Sequence, residues 1–158
     1  MKAIRAMTQS TIKPGTKAPG FVLQADDGST ISLRDLSGKK VVLYFYPKDD
    51  TPGCTTEACE FRDSWKAVEQ AGAVVLGVSP DSDVSHRKFR AKYSLPFRLL
   101  SDPDHSVAEA YGAWGEKSLY GRRYRGMLRT TFLIDGNGRV VKMFEKVKAK
   151  GHAAEVLA

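Results

Sequence analysis

Apolar and polar positions along the chain fall into blocks that predict a mixed order of strands and helices. Residues 41–46, Val41-Val-Leu-Tyr-Phe-Tyr46, form a continuous apolar, β-rich run, the pattern of a strand buried on both faces. Residues 73–78 repeat that pattern. Between them Ala58, Phe61, Trp65 and Val68 recur at spacings of three and four, which predicts a helix over 54–70 with one apolar stripe. Gly72 sits where a helix stop belongs. Asp81-Ser-Asp83 is a capping cluster that predicts a second helix over 84–93. A short strand over 97–100 and a short helix over 104–111, opened by an acidic cap, follow. Residues 113–128 are rich in Gly, Tyr and Arg and read as a loop. Residues 130–134 and 139–144 are strands joined by Asp135-Gly-Asn-Gly138, a strong hairpin signal. Near the start, residues 21–24 and 30–33 flank Asp26-Asp-Gly-Ser29 and predict another hairpin. A last helix begins at about Gly151.

The resulting order is strand, helix, strand, helix, hairpin, helix. A β-α-β unit implies parallel strands and a right-handed crossover, and the late hairpin adds an antiparallel pair. This α/β order resembles a thioredoxin-like fold with an N-terminal hairpin, an insertion between Pro80 and Leu128, and a mixed central sheet flanked by helices. No repeat or linker divides the chain, so one domain over 1–158 is expected, with 1–14 as a mobile lead-in. The order places Cys54 after a central parallel strand, at a helix N-terminus. Open α/β sheets put their active sites there.

Composition narrows the class. A length of 158 residues fits one sizeable core. The net charge is +7, and its positive residues are spread along the chain, dense only at 121–125 and 146–150. This reads as a solvated basic surface. The aromatic–arginine stretch Tyr120-Gly-Arg-Arg-Tyr-Arg-Gly126 has the chemistry to stack on bases and bind phosphate, but no full recognition motif accompanies it. The apolar runs are too short to cross a bilayer, and the basic start lacks the apolar stretch of a secretory signal. A cytoplasmic protein with no membrane or nucleic-acid partner is expected. The chain has only two cysteines, unlike a secreted disulfide scaffold, and the loop they would close is too small to staple much.

Those cysteines carry the chemistry. The thiolate is the reactive form of cysteine, and a helix N-terminus stabilises an anion through its free N–H groups and partial positive charge. A buried structural cysteine is the alternative for Cys54. A structural zinc site needs four ligands, and beyond Cys54 and Cys59 only His86, His105 and His152 remain, with no ligand-spaced His pair. The Cys-x-x-Cys of dithiol exchange is absent. A reactive thiol with a second thiol nearby is what a sulfenic acid needs in order to condense to a disulfide.

The segment Pro47-Lys-Asp-Asp-Thr51-Pro-Gly-Cys54-Thr-Thr-Glu-Ala-Cys59 resembles the active-site loop of peroxiredoxins, whose core is Pro-x-x-x-Thr-x-x-Cys. Its continuation to Cys59 is similar to the Q subfamily, the bacterioferritin comigratory protein type. The resemblance extends from about Gly15 to Leu157 and includes Trp114-Gly-Glu-Lys117, Tyr120-Gly121 and Arg129-Thr-Thr-Phe-Leu-Ile-Asp135. It implies a thiol-dependent peroxidase acting on hydrogen peroxide and alkyl hydroperoxides. Cys54 would be the peroxidatic nucleophile and Cys59 the resolving thiol of an intramolecular disulfide. Thr51 would hydrogen-bond a peroxide oxygen, Pro47 would shield the thiolate from water, and Arg129 would stabilise the charge in flight. The resemblance gives Glu57 a place in the motif without a role. It also implies thioredoxin or a similar dithiol as reductant, no haem, flavin or metal, and a monomer. A thiol–disulfide oxidoreductase on the same fold is the alternative; it would act without peroxide and without Arg129.

Overall fold

The computed structural model describes residues 12–157, so most of the lead-in expected over 1–14 lies outside the described residues. The first hairpin is β1 (Val22–Ala25) and β2 (Thr30–Ser32), followed by a 3-10 turn at Leu33–Leu36. Then come β3 (Lys40–Phe45), α1 (Pro52–Asp63), α2 (Trp65–Gln70), β4 (Ala73–Ser79), α3 (Asp83–Tyr93), β5 (Arg98–Ser101) and α4 (Ser106–Ala110). The chain finishes with β6 (Trp114–Leu119), β7 (Arg122–Met127), β8 (Thr130–Ile134), β9 (Val140–Phe144) and α5 (His152–Leu157).

Seven strands form one sheet in the order β2-β1-β5-β4-β3-β8-β9. β3, β4 and β5 are parallel neighbours; β1 and β8 join them antiparallel, and β9 closes the far edge. This is the mixed sheet with flanking helices that the sequence predicts. β3 is central and is buried on both faces. Val41, Leu43 and Phe45 enter one core, while Val42 and Tyr44, with Tyr46 just beyond the strand, enter the other, as a period of two requires. α1 packs on the second face, where Phe61 stacks on Tyr44 at 5.2 Å between ring centroids.

Three local expectations change. The helix predicted over 54–70 starts earlier, at Pro52, whose fixed φ suits the first helical position. It also breaks at Ser64 (φ −99°, ψ 15°), and beyond the break Trp65 stacks on Phe97. The stretch 113–128 is a β-hairpin, β6 with β7, in a two-stranded sheet of its own. Its two turn residues, Tyr120 and Gly121, both have positive φ (52° and 78°), the combination that a type I′ hairpin turn needs. Arg122 to Arg125 are all exposed, so this hairpin has no apolar alternation to betray it. Just after the expected lead-in, the chain pairs with β9: Gly15 N–H donates to Val140 C=O at 2.7 Å and Val140 N–H to Thr16 C=O at 2.8 Å. Among the described residues no helix is long and apolar enough to cross a membrane.

Gly77 sets how closely β3, β4 and β5 pack. A Cβ added there would lie 2.9 Å from Leu99 Cδ2 and 2.9 Å from both Cζ and Oη of Tyr44. The Tyr44 ring is buried and has little room to yield. Gly77→Ala is expected to destabilise the protein by about 1–3 kcal/mol through overpacking, read as a lower urea midpoint. An unchanged midpoint would show that the three strands have slack there.

Candidate active site

The loop between β3 and α1 is tied down before it reaches Cys54. Tyr46 N–H donates to Val78 C=O, and the chain leaves the sheet at a half-buried Pro47. The buried Asp49 carboxylate accepts from Tyr46 Oη at 2.6 Å and Ser85 Oγ at 2.8 Å, and lies 2.7 Å from His86 Nδ1. His86 Nε2 is 2.9 Å from Leu100 C=O, and a carbonyl only accepts, so that nitrogen carries hydrogen. Asp49 N–H donates to Asp81, which also takes the Ser79 hydroxyl at 2.7 Å. The ligand atoms of Asp49, Asp81 and His86 lie within 4.8 Å of one another, a spacing a cation accepts. Hydrogen bonds already serve all three groups, so the cluster is complete as an anchor of the loop to β4 and α3. Asp50, at φ 55°, adds contacts to Lys92 Nζ and Tyr93 Oη, each at 2.8 Å.

α1 therefore starts at a fixed point, with Cys54 in its first turn and its side chain buried. Arg129, between β7 and β8, reaches this turn. Its Nη2 lies 3.3 Å from Cys54 Sγ, and its Nη1 donates to Glu57 Oε1 at 2.7 Å. Gly53 leaves room for the guanidinium: a Cβ there would sit 3.2 Å from Arg129 Nη2. Thr51 is the residue before the helix, and its hydroxyl donates to Lys48 C=O at 2.9 Å instead of capping α1. Cys59 is half-buried on the same helix and both thiols are free.

The electrostatics follow from burial. Glu57 has no exposed surface, and burial pushes its carboxyl up to about 7, only partly offset by Arg129. Its Oε2 has no hydrogen-bond partner among the described residues. Although burial pulls the other way, Glu57 and Cys54 together hold Arg129 above its ordinary value. Burial also pushes the Cys59 thiol up. On β6, Lys117 donates to Met127 C=O at 2.9 Å, and burial, then the Arg129 charge, hold it below the ordinary lysine value. α5 meets α1 here too: both oxygens of Glu60 accept from Gly151 N–H, at 2.8 and 3.0 Å.

Of the residues singled out by sequence, Cys54 and Arg129 are in contact, Thr51 and Pro47 lie in the loop leading to them, and Cys59 lies five residues along α1. Glu57, Lys117, His86 and His152 were not assigned a part. Glu57 had a signal: it falls one turn before Phe61 and three residues after Cys54, an acid on the apolar stripe. Asp49 and His86 are 37 residues apart, and nothing in the local pattern links them.

Glu57 gives a signed prediction. Its folded value of about 7 lies above the ordinary 4.5, so the folded chain holds this proton more tightly than the unfolded chain does. The stability it contributes is full below 4.5 and is lost as pH rises through about 7. Relative to Glu57→Gln, the unmodified protein should lose up to roughly 3 kcal/mol across that window, at about 1.4 kcal/mol per unit. Urea unfolding at a series of pH values measures this, and parallel stability curves for the two proteins would refute it.

Residues 14–143 match the model of the AhpC/TSA family. A putative peroxiredoxin Bcp of Coxiella burnetii is 56% identical over 147 residues, covering 93% of this chain and 97% of that protein. The peroxiredoxin Bcp of Bacillus subtilis is 54% identical, covering 93% and 94%. A solved Xanthomonas campestris bacterioferritin comigratory protein, studied for its alkyl peroxide reduction activity, superposes with a TM-score of 0.83 at 43% identity, over 87% of each chain. With a buried thiol facing an arginine at the start of α1, and relatives this similar along almost the whole chain, the protein belongs to the AhpC/TSA family, among the peroxiredoxins of the Bcp and Q type.

Proposed function

We propose that this peroxiredoxin reduces hydrogen peroxide and alkyl hydroperoxides at Cys54, closes a Cys54–Cys59 disulfide, and is regenerated by thioredoxin or a similar dithiol. The observation that carries this reading is the Arg129 guanidinium, fixed by Glu57 and 3.3 Å from the Cys54 sulfur. A permanent cation at a buried sulfur favours the thiolate and stabilises charge moving onto the peroxide, and it does so without reorganisation.

The Cys54 thiolate attacks the terminal peroxide oxygen. An S–O bond forms, the O–O bond breaks, and the leaving oxygen takes a proton and departs as water or alcohol. Thr51 gives its hydroxyl hydrogen to Lys48 C=O, so its lone pairs are free to accept from the peroxide O–H. Pro47 limits water at the sulfur. Cys59 then attacks the sulfenic sulfur, an S–S bond forms and water leaves. Thiol–disulfide exchange with the external dithiol restores both thiols. In this reading the protein works as a cytoplasmic monomer of one domain and needs no haem, flavin or metal.

Cys54→Ser should abolish peroxide consumption, because a serine hydroxyl stays protonated at neutral pH. Cys59→Ser should react once, stop at the sulfenic acid, and lose turnover with thioredoxin. Mass spectrometry after one equivalent of peroxide decides between the roles: a sulfenic acid on Cys59 in the Cys54 variant would reverse them.

The disulfide cannot close on the helix as it stands. Residues five apart on an ideal helix have Cα atoms roughly 8.7 Å apart, with a rise of about 7.5 Å and a rotation of about 140°. A disulfide needs about 7 Å or less. Cys54 and Cys59 both lie within α1, so at least one turn must melt. Oxidised protein should show faster amide exchange from Cys54 to about Arg62 and a loss of helical circular dichroism. Unchanged exchange in a disulfide-bonded form would sink this step.

A further inference from the structure

The two carboxylate oxygens of Glu57 are in unlike positions. Oε1 accepts from Arg129 at 2.7 Å, whereas Oε2 is buried with no hydrogen-bond partner among the described residues. An ionised carboxylate would leave that oxygen's charge uncompensated in an apolar setting, and a protonated one places its O–H there. The near ionisable group on that side is His152, whose Nε2 is 3.9 Å from Oε2. His152 Nδ1 lies 3.0 Å from Glu155 Oε1, a carboxylate that only accepts. The neutral ring therefore carries its hydrogen on Nδ1, and its bare Nε2 accepts from the Thr131 hydroxyl at 2.7 Å, with Glu57 Oε2 next to it at 3.9 Å. The Glu155 side chain is 59% exposed. Glu57, His152 and Glu155 thus form a series of groups from behind the active-site arginine to water. Among the described residues, the other ionisable groups facing Glu57 are Arg129 between β7 and β8, Cys54 and Glu60 on its own helix, and Tyr44 on β3.

We propose that Glu57 and His152 are a proton-holding pair that balances the charge of Cys54, with Glu57 neutral while the sulfur is a thiolate and ionised once it is a sulfenic acid. This rests on the peroxidase reading above. The reduced pocket holds one anion, the thiolate, directly against the Arg129 cation, with the Lys117 ammonium also within its field. Attack on a hydroperoxide forms the S–O bond and breaks the O–O bond, and the leaving alkoxide takes a proton from water at the pocket mouth. The neutral sulfenic acid leaves Arg129 without a counter-charge. With Oε2 and Nε2 about 1 Å closer than the 3.9 Å at which they stand, and the Thr131 hydroxyl turned away, Glu57 gives its proton to His152 Nε2, and His152 releases its Nδ1 proton through Glu155 to water. The sum is thiolate plus neutral Glu57 plus hydroperoxide, giving sulfenic acid plus ionised Glu57 plus alcohol. One negative charge moves from one side of Arg129 to the other, and the buried pocket keeps its net charge throughout. The upward shift of Glu57 and the downward shift of His152, both driven first by burial, agree with this arrangement. Glu57 and His152 touch neither sulfur nor peroxide in this scheme, so they are positioning residues that act through Arg129.

Infrared difference spectroscopy on the full chain carrying Cys59→Ser, which holds the sulfenic acid, tests this directly. Spectra are taken at slightly acid pH before and after one equivalent of hydrogen peroxide, with the Cys54 oxygen followed by mass spectrometry. The expected result is loss of a protonated-carboxyl C=O stretch and gain of carboxylate bands in step with oxygen addition. Adding Glu57→Gln should remove the band, while adding Glu60→Gln or Glu155→Gln should keep it. Should Glu57→Gln fail to fold, isotope-labelled glutamate together with those two controls assigns the band. Adding His152→Gln should leave the band in the reduced protein and make its loss lag behind oxygen addition. A reduced protein without the band, or a band that survives oxidation, overturns the proposal. Absence of any oxygen on Cys54 would instead overturn the peroxidase reading itself, and the two failures are read from different instruments.

Discussion

One guanidinium organises this site. Arg129 holds Glu57 with one nitrogen and faces the Cys54 sulfur with another, and both partners are buried. A buried charge needs a close partner of opposite sign, or burial neutralises it. The three groups therefore depend on one another: without Arg129, neither a thiolate nor a carboxylate is tolerable at the base of α1. Burial raises the stakes of each contact, because the same poor solvation that shifts Glu57 also strengthens the pull of the cation on the sulfur.

Such a contact is useful only if the thiol arrives at the same place each time. That task falls to the sheet and to the loop anchor. β3 is clamped between β4 and β8, and its last turnings are tied through Asp49 to Tyr46, Ser85 and His86. Arg129 comes from the opposite direction, at the junction of the small β6–β7 sheet and the main sheet. The site is thus assembled from segments 75 residues apart in sequence, each held by backbone pairing that has nothing to do with peroxide.

The central strands, the two hairpins that flank them in sequence, and the α1 cysteine were legible because buried strands and helix stripes leave periodic apolar traces. Val41 to Tyr46 and the stripe through Phe61 are examples. β6 and β7 were not legible, because a hairpin whose arginines all face water carries no such trace, and Tyr120-Gly121 is a less familiar turn pair than Asn-Gly. The site divides the same way. Cys54, Thr51 and Pro47 sit in one short motif and can be read together. Arg129 was found only through its resemblance to a family pattern; from residue type alone Arg122, Arg123 and Arg125 were equal candidates. The burial of Glu57 and its approach to His152 are products of tertiary packing, since the residues that enclose them come from β3, β8 and α5.

α5 stands on the helix that carries both cysteines. The backbone N–H of Gly151, just before α5, rests on the Glu60 carboxylate, and Ala153 and Val156 share a core with Phe61. A turn of α1 therefore cannot be lost without removing part of the floor beneath α5. Mechanically, the two helices behave as a lever and its seat, so in the proposed cycle a loss of helix at the cysteines would be felt at α5. A fluorophore carried on α5 would, on these grounds, report the redox state of the sulfur from a distance.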